Sequence, residues 1–296
     1  MSGLFYGSGV ALVTPFFRGE IDYVRLGALI DWQISEKTDA LIICGTTGEA
    51  STMTDEERMD AIAFAVSRAQ GRVPVIAGTG ANDTRRAIVL SERAEAVGAD
   101  ALLVVTPYYN KANADGLVRH YTGIADHVSI PVIAYNVPSR TGVNLTPHTM
   151  VELARHPRIQ GIKEASGNIA QISELAHLAG DGLFIYSGND ADTMPILSLG
   201  GRGVISVAAN IVPRRMHDLV MHFLKGDFAE SQKIQLTLIP LMQALFCDIN
   251  PIPVKAALSM MDKIMDELRL PLTSLNADKR AQLKSILADF DLLPKK

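Results

Sequence analysis

Short apolar runs recur along the chain, and each is followed by a longer stretch in which apolar positions return at helical spacing. Val, Ile, Leu and Ala dominate residues 10–13, 40–44, 73–77, 101–105, 131–135, 159–163, 183–187 and 203–207. Such runs do not alternate with polar residues, as expected of parallel strands covered on both faces. Helical spacing follows over 23–35, beyond Thr54, from Asp83 to Gly98, and over 116–126, 146–155, 169–178, 192–199 and 214–224. Thr54-Asp-Glu-Glu57 has the form of a capping box. Eight strand–helix units without a composition break predict a parallel sheet, and eight is the number that closes a (β/α)8 TIM barrel. A doubly wound open sheet competes, but usually has about five or six strands. Three further amphipathic stretches, 229–246, 254–268 and 278–290, carry no strand signal. The expected organisation is a catalytic barrel over 1–226 and a C-terminal helical extension over 227–296 packed on it.

Composition narrows the function. The formal net charge is −4, from 28 Lys plus Arg against 32 Asp plus Glu, so no basic nucleic-acid footprint is expected. Hydrophobic residues at 48% are too many for a disordered chain. The apolar runs are too short to span a bilayer, so no membrane partner is expected. The first residues lack a basic start and an apolar core, which makes a cytoplasmic location the expectation. Two cysteines, Cys44 and Cys247, cannot form a disulfide framework, and their apolar surroundings suit buried thiols.

A barrel carries its chemistry where the strands end. The segments there are Thr14-Pro15, Gly45-Thr-Thr-Gly-Glu49, Gly78 to Asn82, Thr106-Pro-Tyr-Tyr109, Tyr135 to Arg140, Lys163 to Ser166, Ser187 to Asp190 and Ser206 to Asn210. All seven histidines fall instead in predicted helices or at their ends, which argues against a His-held catalytic metal or a Ser-His-Asp nucleophile. Lys163 ends an apolar strand, where scarce water disfavours the ammonium and leaves an amine able to condense with a ketone. The competing reading pairs Lys163 with Glu164 at the rim. The 45–49 loop offers N–H groups and hydroxyls to a carboxylate or phosphate but lacks the Lys-Ser/Thr ending of a nucleotide loop; by itself it also suits a plain turn. Gly200-Gly-Arg-Gly203 precedes its strand and reads as a turn on the opposite face. Tyr108, Tyr109 and Tyr135 can relay protons or simply pack. Arg140 can fork onto a carboxylate or lie solvated.

Gly45-Thr-Thr-Gly-Glu49, Tyr135-Asn-Val-Pro-Ser-Arg-Thr-Gly142 and Gly161-Ile-Lys-Glu-Ala165 together resemble the dihydrodipicolinate synthase / N-acetylneuraminate lyase superfamily of class I pyruvate aldolases, from about residue 9 to 293. Pro138-Ser-Arg140 resembles the synthase branch, which condenses pyruvate with L-aspartate 4-semialdehyde in lysine and diaminopimelate biosynthesis. The resemblance implies that Lys163 forms a Schiff base with pyruvate, so that no separate cofactor or metal is required. It implies Tyr135 as general acid/base, with Thr46 and Tyr109 completing a proton relay and Tyr109 reaching in from a neighbouring subunit. Thr46 and Thr47 would hold the pyruvate carboxylate, Gly188 and the Ile205 carbonyl would shape its pocket, and Arg140 would hold the aldehyde's carboxylate. A homo-oligomer is implied, as a tetramer built from two dimers. Positions matching the family's feedback site for free lysine are Ala50, Ser51, Asp55, Arg58, Asn82, Arg86 and Tyr108. Arg58 and Arg86 would repel a bound ammonium, so weak or absent inhibition by lysine is expected. A sugar-acid lyase on the same scaffold is the alternative activity. A catalytically dead binding protein is disfavoured because the lysine and the tyrosines are all present.

Overall fold

The structure, a computed structural model, describes residues 4–294. The chain begins with β1 (Gly7–Ala11), then a small hairpin of β2 (Phe16–Phe17) and β3 (Glu20–Ile21), and α1 (Tyr23–Ser35). Strands and helices then alternate: β4 (Ala40–Ile43), α2 (Asp55–Ala69), β5 (Val75–Gly78), α3 (Thr84–Ala96), β6 (Ala101–Val105), α4 (Ala114–Ala125) and β7 (Val132–Asn136). Two helices follow, α5 (Pro138–Thr141) and α6 (Pro147–Leu153), before β8 (Ile159–Glu164), α7 (Ile169–Ala179), β9 (Phe184–Ser187), α8 (Thr193–Ser198), β10 (Gly203–Ser206) and α9 (Pro213–Leu224). The chain closes on α10 (Phe228–Ala244), α11 (Ile252–Met260) and α12 (Ala277–Asp289). All strands but the hairpin pair in parallel into one closed barrel, ordered β1-β10-β9-β8-β7-β6-β5-β4 and back to β1. The expected (β/α)8 barrel is therefore the architecture, with helices beyond the last unit.

The closed sheet explains why its strands read as unbroken apolar runs. Ala40 and Ile42, Ala101 and Leu103, and Ile133 and Tyr135 point inward and gather with Ile76, Tyr186 and Ile205. Their chain neighbours Leu41, Ile43, Leu102, Val104, Val132 and Ala134 face the helices. Both faces are dry, so both must be apolar. Phe5 enters the inner cluster just ahead of β1, stacked on Tyr186 with ring centroids 4.6 Å apart. Residues of α10–α12, among them Leu241, Val254, Leu258 and Leu283, belong to the same cluster as the outer faces of the strands.

Several boundaries differ from the expectation for identifiable reasons. β1 begins at Gly7, ahead of the apolar run, because Gly-Ser-Gly carries the pairing without apolar side chains. The hairpin turns on Arg18 at φ 54° and Gly19 at φ 85°, the paired left-handed geometry of a tight two-residue turn. Helix 254–268 stops at Met260: Asp262 is left-handed at φ 58°, and the Lys263 N–H donates to the Leu258 carbonyl at 3.0 Å, a Schellman closure. The Thr54 capping box is present in both directions. The 200–203 glycines do make a turn, and Gly203 is required because a Cβ there would lie 2.0 Å from the Gly7 carbonyl oxygen. Cys44 is buried, its thiol pushed up to about 12 by burial, whereas Cys247 is only half-buried. Among the described residues, no helix is long and apolar enough to cross a membrane.

Candidate active site

Lys163 lies one residue from the end of β8, and its register partners are Tyr135 on β7 and Tyr186 on β9. Its side chain points into the barrel while that of Glu164 points the opposite way, as successive strand residues must. The Glu164 carboxylate takes the Asn136 Nδ2 at 3.0 Å and the Ser166 N–H at 2.7 Å. The rim pairing of Lys163 with Glu164 is therefore not made. Lys163 is 5% exposed, and its Nζ stands 4.4 Å from the centroid of the Tyr135 ring. Burial lowers its pKa to about 8; the Asp190 carboxylate opposes that shift and the Arg140 charge adds to it. Tyr135, also buried, has its phenol pKa raised by desolvation, offset in part by Arg140 and by the hydroxyl of Thr46. An amine partly neutral at physiological pH thus faces a phenol that holds its proton.

The loop after β4 brings in the two threonines. Thr46 is exposed at the mouth, while Thr47 is buried and its Oγ1 accepts a hydrogen bond from Asn250 Nδ2 at 2.9 Å. That leaves the Thr47 O–H free to donate. Arg140, in α5, is held by one hydrogen bond of 3.2 Å from its Nη2 to the Asn250 carbonyl. Asn250 thus touches both the threonine loop and the arginine. Gly188 sits where β9 ends, its N–H donating to the Glu164 carbonyl at 2.7 Å, and a Cβ there would lie 2.7 Å from that of Ala165. Ile205 is buried in the inner cluster.

A cavity of about 500 Å³ opens beside these groups and is lined by Thr46, Tyr135 and Arg140. Ala50, Ser51, Arg58, Arg86 and Tyr108 line it too, so the barrel mouth is continuous with most of the candidate lysine positions. Lys163, Thr47, Gly188 and Ile205 lie outside its lining, as do Asp55 and Asn82. Asp55 pairs with Arg86 at 2.8 Å. The buried Arg58 donates from Nη2 to the Gly78 carbonyl at 2.8 Å. Tyr109 is 89% exposed on this chain, in the left-handed region at φ 75°, and does not reach the site of its own barrel.

Three residues here escaped the sequence reading. Asp190 is buried after β9, its Oδ2 accepting the N–H groups of Val207 at 3.2 Å and Ala208 at 2.9 Å, and it lies near enough to Lys163 to shift its pKa. The only signal in the sequence was its place in a strand-end loop. Asn250 and Lys255 come from the segment before and within α11, where the signal was a lysine inside an apolar helix.

Fold and strand-end residues together define a (β/α)8-barrel enzyme whose site gathers a lysine, a tyrosine and threonines. The dihydrodipicolinate synthetase family model matches residues 4–290. The chain is 53% identical to the 4-hydroxy-tetrahydrodipicolinate synthase of Thermoanaerobacter sp. strain X514, over 98% of both chains. Among solved structures, dihydrodipicolinate synthase from Aquifex aeolicus superposes with a TM-score of 0.97 at 45% identity, covering 99% of this chain and all of that one. The enzyme from Acinetobacter baumannii, solved with pyruvate, superposes at 0.96 and 42% identity over 98% of this chain and all of that one. The chain belongs to the dihydrodipicolinate synthetase family.

Proposed function

We propose that this enzyme condenses pyruvate with L-aspartate 4-semialdehyde to 4-hydroxy-tetrahydrodipicolinate through a Schiff base on Lys163. The observation that carries the reading is the buried amine at the end of β8, with burial disfavouring its charge and the Tyr135 ring against it. The neutral amine attacks the pyruvate ketone, and the hydroxyl of the resulting carbinolamine leaves as water with a proton delivered by Tyr135. The imine then loses a methyl proton to give an enamine, whose carbon forms the new bond to the aldehyde carbon. The aldehyde oxygen takes a proton from the relay, and the substrate amine displaces the lysine as the product cyclises. Thr46 and Thr47 hold the pyruvate carboxylate with hydroxyl and loop N–H donors; Gly188 and the Ile205 carbonyl border it, and Arg140 holds the carboxylate of the aldehyde. The chemistry runs on the lysine amine, without a separate cofactor or metal.

The same reading includes a cytoplasmic homo-oligomer, assembled as a dimer of dimers, in which Tyr109 completes the relay in a neighbouring barrel. Its exposure on the single chain supports that role. The relatives at 48–53% identity carry the synthase name, which favours the aldehyde over a sugar acid as second substrate. A coupled assay tests the function, with pyruvate and aspartate semialdehyde supplied and NADPH oxidation followed through added dihydrodipicolinate reductase. Turnover lost in Lys163→Ala is the expected result. Arg140→Ala is expected to raise the aldehyde KM by about tenfold or more, the worth of a charge-assisted contact, with trapping of pyruvate on Lys163 unchanged. Equal damage to both steps would remove Arg140 from its assigned role.

A further inference from the structure

Beneath the 45–49 loop lies an ion pair that takes no part in the chemistry described so far. Lys255 of α11 and Glu49 are both completely buried, and the Lys255 Nζ donates to Glu49 Oε1 at 2.5 Å. The same ammonium donates to the Thr14 carbonyl at 3.0 Å and stands 4.3 Å from the centre of the Phe16 ring. Its contacts are thereby filled by carboxylate, carbonyl and ring. Burial lowers its pKa, as at Lys163, but here the Glu49 carboxylate in direct contact opposes that shift.

The pair is tied into the loop at every turn. Glu49 is left-handed at φ 55°, and its N–H donates to the Thr46 carbonyl at 3.1 Å, so the carboxylate and the first threonine belong to one tight turn. Its second oxygen, Oε2, accepts the Arg269 N–H at 3.1 Å. Thr14, which receives the lysine through its carbonyl, returns its hydroxyl to the Gly48 carbonyl at 2.7 Å. Asn250 holds Thr47. The C-terminal helices and their connections therefore fix the loop at Thr47 and Glu49, from behind.

A fully buried pair is weak evidence for stability, because removing two ions from water offsets most of their attraction, and apolar replacements of like volume are often neutral. In some proteins such a pair serves instead to fix one geometry. We propose that Lys255 is a positioning residue for the substrate loop: through the buried Glu49 carboxylate it sets where Thr46 and Thr47 meet the carboxylate of pyruvate. This inference rests on the assignment of that loop to pyruvate made above.

Glu49→Met/Lys255→Met replaces both ions by unbranched apolar chains of similar length and leaves no unpaired charge behind. In the assembled enzyme, with melting curves confirming the fold, the pyruvate KM is expected to rise about tenfold while the aldehyde KM holds. A role confined to the fold would lower the active fraction and leave both KM values alone, and an unchanged pyruvate KM in the folded double variant overturns the inference. Lys255→Arg keeps the charge but alters its reach; it is likewise expected to raise the pyruvate KM selectively, and a wild-type value there also overturns the proposal. Thr47→Val separates the two claims. If it leaves the pyruvate KM untouched, the loop is not the pyruvate site; if it raises that KM while the pair variants do not, only the role of Lys255 fails.

Discussion

At the residue scale the protein is organised around one amine. Lys163 was legible because a lysine ending an apolar strand has a single dry place to go, the mouth of the barrel. Its freedom from Glu164 was not legible, since two adjacent residues of opposite charge suggest a pair in sequence and point apart on a strand. The part played by Asp190 was not legible for a related reason: its place in a strand-end loop gives no hint that backbone N–H groups will bury it near that amine. The lowered pKa of Lys163 makes a stability statement as well. Below about 8 the folded protein must hold the buried lysine as a costly ammonium, and the penalty fades as pH rises toward the ordinary lysine value of 10.5. Lys163→Met is therefore expected to be more stable than the parent at neutral pH, by on the order of 3 kcal/mol. The advantage should shrink above pH 9, and melting curves at pH 7 and pH 10 check it.

At the element scale, the strands were readable because apolar residues cover both faces, and the eight-fold count named the fold. The hairpin of β2 and β3 and the early end of α11 were not, because both depend on left-handed residues, Arg18 and Asp262, that carry no apolar signal. The charged groups of α2 and α3 beside the cavity bear on whether free lysine would bind there. Arg58 on α2 is buried with one carbonyl partner, and the carboxylate of Asp55 is already taken by Arg86 of α3. An incoming lysine ammonium would meet two guanidinium groups and find its one candidate carboxylate engaged. Steady-state assays are expected to show weak inhibition by lysine or none, and inhibition at sub-millimolar lysine would contradict that.

At the scale of the whole molecule, the C-terminal helices share the barrel's outer core, and α11 with the segment leading into it sets Lys255 and Asn250 against the 45–49 loop. No periodicity in sequence shows that a side chain 206 positions away from Glu49 will pair with it. Under the proposed function the same logic extends between chains. Tyr109 is exposed on its own chain, and under the proposed function it serves a neighbour. Lys163→Ala, inactive alone, and Tyr109→Phe, weakly active alone, are expected to regain activity when unfolded and reassembled together. Mixed oligomers then contain barrels with both groups intact, and failure to complement would place the tyrosine outside the relay.

The central claim is that the buried amine of Lys163 bonds to pyruvate, and borohydride trapping followed by peptide mass mapping tests it most directly. The expected result is one pyruvate-derived adduct per chain, on Lys163 alone, with a trapping rate that climbs about tenfold per pH unit before levelling off near pH 8. An adduct on another lysine, or none in the folded enzyme, would contradict the account.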